Sequence, residues 1–233
     1  MSTTSGIDMI NGMVQLDGKG IANQLVLLLS SNMDQFIGST ATDDEGRYSI
    51  ALPSVKSTSS VVLVAKIQGP VLALDYRVIQ PGLFVNQQDF NIHTSSEAFC
   101  MLRAGIVADH IELPPFLEIA ITPVHLDGIP SVLEQFFLRR SNNVVDASYY
   151  QKNLQGTHFE LKMQRGSYRI SGGHINYKGP DSVLPAPDNF IVGSILADGE
   201  NNPLPGERLG GYLLEIKHDR KIDLKVEVFN DKK

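Results

Sequence analysis

The chain has no tryptophan and one cysteine, Cys100, in 233 residues. One cysteine makes no intramolecular disulfide and no thiolate-rich zinc site. It lies within Ala98-Phe99-Cys100-Met101-Leu102, where it reads as a small buried hydrophobe rather than a nucleophile. Long apolar runs are also missing. Runs such as Leu25–Leu29 and Val61–Ala65 have five residues and none is longer, whereas a membrane-spanning helix needs about 20. The opening MSTTSGIDMINGMVQ has neither the basic n-region nor the apolar h-region of a signal peptide, and no Asn-x-Ser/Thr sequon occurs. The expectation is a cytoplasmic chain without a membrane partner, with release as part of a particle still compatible.

Positive charge is scarce as well. The formal net charge is −6, with 6 basic against 11 acidic residues over 1–113 and 14 against 15 over 114–233. No basic field exists to neutralise a row of phosphates, so nucleic acid is excluded as an expected partner. The mild, scattered acidity reads as solubility.

The motifs of chemistry are absent too. His93, His110, His125, His158, His174 and His218 include no His-x-His or His-x-x-x-His pair, so metal-ligand spacing is missing. Asp109-His110-Ile111-Glu112 reads as solvated boundary residues. Asp43-Asp44-Glu45-Gly46 does not follow an EF-hand loop and reads as a turn. There is no G-x-S-x-G elbow and no phosphate-binding loop. Gly172-Gly173-His174, inside a strand pattern, reads as a bulge. The sequence therefore assigns no catalytic, cofactor-binding or metal residue and predicts a protein that is not an enzyme and has no cofactor.

What is present is alternation. Apolar residues recur mostly with period two between Gly, Pro, Asn and Asp clusters, the signature of strands and turns. The pattern predicts strands over 9–16, 24–30, 35–42, 47–52, 61–67, 73–80 and 89–92. The unbroken apolar stretch in 24–30 predicts a strand covered on both faces. Thr94-Ser95-Ser96-Glu97 has capping-box spacing, and the apolar residues that follow predict a short helix over 95–104. Pro114-Pro115 marks a stiff junction. Further strands are predicted over 116–122, 132–140, 146–152, 159–163, 167–177, 190–197, 212–217 and 221–229. The last has Ile222, Leu224, Val226 and Val228 on one face and Asp223, Lys225 and Glu227 on the other. The fold class that follows is all-β: two tandem antiparallel β-sandwiches over 1–93 and 116–233, with a linker or short helix over 94–115.

One internal likeness supports tandem domains. LDGKGIANQLVLLLSSN (16–32) and LDGIPSVLEQFFLRRSN (126–142) share six of 17 positions at an offset of 110, the size of one sandwich. Residues 192–206 resemble the opening strand and Asp-Gly turn of the chain, but no second turn motif follows, so they read as a similar hairpin.

Gly12-Met13-Val14-Gln15-Leu16-Asp17-Gly18-Lys19-Gly20-Ile21-Ala22, Leu25-Val26-Leu27 and Thr42-Asp43-Asp44-Glu45-Gly46-Arg47-Tyr48-Ser49-Ile50, ended by Leu52-Pro53, resemble the carboxypeptidase regulatory-like domain. That resemblance covers about a quarter of the chain. It implies an Ig-like, transthyretin-like sandwich and a mostly non-catalytic module. One departure is Ile21, which stands where the family has proline. The residues agree with it physically: Gly46 supplies a positive φ, Asp43 caps the turn, and Tyr48 and Ile50 share one face.

The expected function is a non-catalytic structural or interaction protein that contacts protein partners or its own copies within a larger assembly, phage-like or secretory particles included. The amphipathic strand 221–229 is the expected edge for a partner strand. One alternative is a carbohydrate-binding module using Tyr149, Tyr150 or Tyr177. The other is a hydrolase whose site is assembled only in space.

Overall fold

Short aliphatic runs become strands wherever Asp-Gly, Asn or Gly lets the chain reverse. The computed structural model describes residues 8–52, 60–69, 71–80, 87–109, 118–138, 149–151, 158–174, 189–207 and 211–229. The chain is all-β apart from one helix among these residues. It divides into two compact units, Met1–Phe99 with Gly128–Asp146, and Cys100–Asp127 with Ala147–Lys233.

The first unit holds β1 (Asp8–Leu16), β2 (Lys19–Gly20), β3 (Leu25–Ser30), β4 (Phe36–Ala41), β5 (Arg47–Leu52), β6 (Val61–Ile67), β7 (Val71–Ile79) and β8 (Phe90–Ile92). In one sheet β1 pairs antiparallel with β2 and β5 and parallel with β8. The other is an antiparallel array in the order β4-β3-β6-β7. Period two does the packing. Ile10, Val14, Tyr48, Ile50, Leu52 and Phe90 from the first sheet share a core with Val26, Leu28, Val61, Leu63 and Ala65 from the second. Two sheets with interdigitating inner faces make a β-sandwich. Leu27, Leu29, Val62 and Val64, on the opposite faces of β3 and β6, are buried too, as the unbroken apolar run predicts.

The chain enters the second unit along β9 (Phe99–Val107). It continues through β10 (Glu118–Leu126), β11 (Tyr149–Gln151), β12 (His158–Gln164), β13 (Gly166–His174), β14 (Asn189–Ala197), β15 (Gly206–Glu207), β16 (Gly211–Ile216) and β17 (Arg220–Phe229). β13 pairs with β10 along its length, while its other side meets β16 over Gly166–Ile170 and β14 at Gly173 and His174. The sheet therefore branches at β13. One branch carries β16 and β15; the other runs through β14, β17, β9 and β12. The Tyr212 hydroxyl of β16 donates to the Gly193 carbonyl of β14, which ties the branches together. Tyr168, Ile170, Leu214, Ile195, Ile222 and Leu224 are fully buried.

The structure corrects several sequence expectations. Residues 95–104 do not form a helix: 94–98 are turn, and β9 follows. Cys100, Leu102 and Ala104 are buried while Arg103 is exposed, a period of two. The helical spacing arose because Phe99 and Met101, on the outer face, are apolar and only half-buried. The strand expected over 132–140 is a helix over 132–138, part of α1 (Ser131–Leu138); residues 139 and 140 lie outside the described residues. The Pro130 carbonyl accepts the Leu133 and Glu134 amides at 2.9 and 3.1 Å. Pro130 lacks a ladder donor, and Leu133, Glu134 and Gln135 are good helix formers. β17 is not an edge, because β14 and β9 flank it on both sides. Its exposed Lys221 lies on a sheet face, not on an open edge. Gly172 keeps ladder register with Ile119, and the register shifts fall at Pro123/His125 and Val192/Ser194 instead.

The repeat at offset 110 holds for its first strand and again for β5 and β12, since Arg47–Leu52 shifts onto 157–162 and β12 spans His158–Gln164. β1 and β10 coincide in length and position, and Gly18 and Gly128 have φ of 82° and 81°. α1 then stands where β3 would recur. The second likeness is closer in its turn: Asp17-Gly18 has φ of 51° and 82°, Asp198-Gly199 51° and 78°.

Candidate functional site

The Thr-Asp-x-x-Gly motif builds one rim of the first sandwich. The buried Thr42 hydroxyl donates to the Ile21 carbonyl at 2.6 Å and accepts the Gln24 amide at 2.9 Å. Asp43 caps the turn that follows, its carboxylate accepting the Glu45 and Arg47 amides at 3.0 and 2.7 Å. Gly46 sits at φ 83°, and a Cβ there would lie 2.7 Å from Gly20, Ile21 and Val14 backbone atoms. The turn carries the chain from β4, in one sheet, to β5, in the other.

On the far side of β1, the Gln88 amide donates to the Asn11 carbonyl at 2.7 Å. The Tyr48 hydroxyl donates to the Gln88 carbonyl at 2.5 Å. Only glycine fits at position 12, because a Cβ would fall 1.9 Å from that carbonyl oxygen. Burial pushes the Tyr48 hydroxyl well above the usual phenol range; Asp89 adds to this and Arg77 opposes it.

These contacts fix which backbone groups face outward. The Val14 amide donates to the Gly46 carbonyl at 2.8 Å. With Gly12 opposite Tyr48 and Ile10 opposite Ile50, the even-numbered residues of β5 exchange hydrogen bonds with β1, and the odd-numbered ones point away. Arg47 turns its amide and carbonyl to Asp43. Ser49 and Ala51 are left: β5 pairs only with β1, and among the described residues nothing bonds to their amides or carbonyls. Among the described residues β4 likewise pairs only with β3.

An open cleft of about 630 Å³ is lined by residues 11–13, 40–43, 47–49 and 87; Ser49 of the β5 edge is among them and Ala51 is not. Arg47 is exposed and forms no ion pair among the described residues. The chemistry on offer is backbone hydrogen bonding, the Arg47 guanidinium, the Asp43 carboxylate and the amides of Asn11 and Gln87.

The residues singled out in the sequence do not converge here, apart from the capping Asp43 and its turn. Cys100 is buried. Asp109 pairs with Lys225 at 3.2 Å; residues 110–112 lie outside the described residues. His125 is 3.6 Å from Asp127. Tyr149 and Tyr150 belong to β11, opposite Ile121 and Ala120; their side chains and Tyr177 lie outside the described residues. Among the described residues no three His, Cys, Asp or Glu side chains gather as a metal site, and no helix is long and apolar enough to cross a membrane. Sequence reasoning missed the β5 edge. Its signal was present: Ser49 and Ala51 alternate with buried residues in a strand that carries no proline and only Arg47 as a charge.

No family model matches the chain, and no curated protein matches it. Among solved structures, the chain is similar to the shaft pilin SpaA of Lactobacillus rhamnosus GG as its D295N mutant. The identity is 8%, covering 94% of this chain and 98% of that one, with a TM-score of 0.31. For the minor pilin of Streptococcus agalactiae the values are 10%, 97%, 98% and 0.29. For the Bacillus anthracis TIE protein they are 13% and 94% of this chain, with a TM-score of 0.27; the chain spans 34% of that protein's length. At such scores none of these likenesses carries an inference about activity or partners.

Proposed function

We propose that the chain is a non-catalytic β-sandwich protein that serves as a structural or interaction subunit of a larger protein assembly. The observation that carries this reading is the open edge of β5. Soluble sandwiches blunt such edges with charge, proline, bulges or a covering segment. Ser49 and Ala51 carry none of the first three, and their backbone groups have no partner among the described residues. An edge of this kind is suited to recognition by main-chain pairing.

The test is the native mass of the complex recovered from its source under mild cross-linking, beside the sedimentation mass of the purified chain. A partner at fixed stoichiometry, or a defined oligomer, is expected. A monomer with no partner in either experiment would overturn the reading.

A further inference from the structure

We infer that the chain modifies itself at Asp127-Gly128: the Gly128 amide nitrogen closes on the Asp127 side chain to form a succinimide, which water reopens to an isoaspartyl linkage.

The sequence offers four bonds where an acidic or amide side chain precedes glycine: Asn11-Gly12, Asp17-Gly18, Asp127-Gly128 and Asp198-Gly199. Glycine suits the closure because no Cβ shields the attacking nitrogen. The fold restrains three of the four. Gly12 stands opposite Tyr48 in a pair that exchanges hydrogen bonds, so its amide is held in the β1–β5 ladder. The Asp17 carboxylate accepts the Thr94 amide at 2.8 Å on one oxygen and the Thr94 hydroxyl at 2.6 Å on the other. The Asp198 carboxylate accepts the Lys221 amide at 2.9 Å on one oxygen and pairs with Arg220 Nε through the other.

Asp127 differs from both. Its side chain is 58% exposed, and the His125 imidazole stands 3.6 Å from one of its oxygens. Among the described residues no hydrogen bond holds its carboxylate, and the Gly128 amide donates to nothing. A Cβ at Gly128 would meet nothing within 4 Å, so the nitrogen is open to approach. Closure turns the peptide between the two residues and gives up one neutral hydrogen bond, from the Gln164 side-chain amide to the Asp127 carbonyl at 3.1 Å. At Asp17 and Asp198 it gives up two bonds to an ionised carboxylate, each roughly twice as strong as a neutral one.

The chemistry balances with solvent water alone. The Gly128 nitrogen bonds to the Asp127 Cγ, and one carboxyl oxygen leaves as water with the amide proton and the proton of the carboxylic acid. Water then adds across one ring carbonyl. Opening at the former main-chain carbonyl leaves Gly128 linked through Cγ and turns that carbonyl into a carboxylate. The backbone gains one atom, about 1.5 Å. The added atom follows Leu126, the last residue that β10 pairs with β13, and lies where the chain crosses between the two compact units. No ladder opposes it.

The test holds the full chain at body temperature in neutral buffer, beside the same chain unfolded in guanidinium chloride. Peptide mapping with isoaspartyl-specific enzymatic methylation reads each bond. In the folded chain the isoaspartyl signal at 127 should exceed those at 17 and 198 about tenfold or more, the worth of one hydrogen bond to a charged group. In the unfolded chain the three Asp-Gly bonds should react alike. Asp127→Glu, which forces a six-membered ring, should abolish the signal at 127. Asp127→Asn, which closes to the same imide with ammonia leaving, should raise it. Both change an exposed side chain and keep the fold. Equal signals at the three bonds of the folded chain overturn the inference, as does a folded chain silent at 127. A bias toward 127 that persists in guanidinium overturns it too, because the local sequence and not the fold then selects the bond. So does a signal at 127 that survives Asp127→Glu or fails to rise with Asp127→Asn.

Discussion

Single residues in this protein act through backbone geometry more than through side-chain chemistry. Gly18 and Gly46 have nearly the same φ, 82° and 83°, yet an added Cβ meets nothing within 4 Å at Gly18 and three backbone atoms at 2.7 Å at Gly46. Gly18→Ala should therefore cost about 1–2 kcal/mol, the penalty of a left-handed alanine. Gly46→Ala should cost more, because backbone rather than a flexible side chain must move. Urea midpoints of the two variants check this, and equal losses would mean that the close approach of Gly20 to Gly46 is unimportant. Buried tyrosines give a pH prediction. Burial raises the pKa of Tyr48 and Tyr168, Tyr168 with further help from Asp127 and Cys100. Each stays neutral in the fold at pH values where the unfolded chain ionises its tyrosines, about 10. The folded state then binds more protons than the unfolded state, so stability is level below about pH 10 and falls as pH rises above it. Urea midpoints between pH 8 and 11 should show this decline, with a shallower slope in Tyr168→Phe. An unchanged slope would remove Tyr168 from the linkage.

At the scale of elements, period two located the strands that, like β5 and β16, bury one face and expose the other, whereas β3 and β6 are unbroken apolar runs buried on both faces. β5 reads exposed-buried without a break over Arg47–Leu52. Legibility failed where neighbours rather than pattern decide. Phe99 and Met101 are apolar on the less buried face of β9, so the alternation blurs into a helical spacing. In α1, Val132 is exposed and Leu133 fully buried, and nothing in an apolar pair says which. The edge status of β17 was illegible for a stronger reason. Its partners come from Phe99–Val107 and Asn189–Ala197, and pairing at that separation leaves no local mark. The candidate site was half legible: the capped turn of Asp43 and Gly46 could be read, whereas the open ladder beside it left only the absence of proline and a single charge in 47–52. The contrast between β17 and β5 can be measured. Asp223 pairs with both Gly105 and Leu196 and is half-exposed. Asp223→Pro should therefore break a ladder without emptying the core, at a cost of about 3 kcal/mol or more. Equal tolerance of Asp223→Pro and Ala51→Pro in thermal melts would sink the assignment of β17 as an interior strand.

For the whole molecule, sequence order and structural unit part company at α1. The chain leaves the first unit after Phe99, runs through β9 and β10, and returns with Gly128–Asp146 before β11 to β17 complete the second. The helix is flanked in sequence by strands of one unit and grouped with the other. Each unit has its own buried set, so local losses should stay within the unit that suffers them. Leu133, fully buried in α1, tests this. Leu133→Ala deletes buried methyl groups and should cost about 2–5 kcal/mol. That cost should appear as faster amide exchange in β3, β6 and β7, more than 50 residues away in sequence. β10 lies five residues before the helix start and should keep its protection. If β10, β13 and β17 lose protection while β6 keeps it, α1 belongs with the second unit. If both groups lose protection together, the two units unfold as one cooperative body, and the division by contacts has no counterpart in stability.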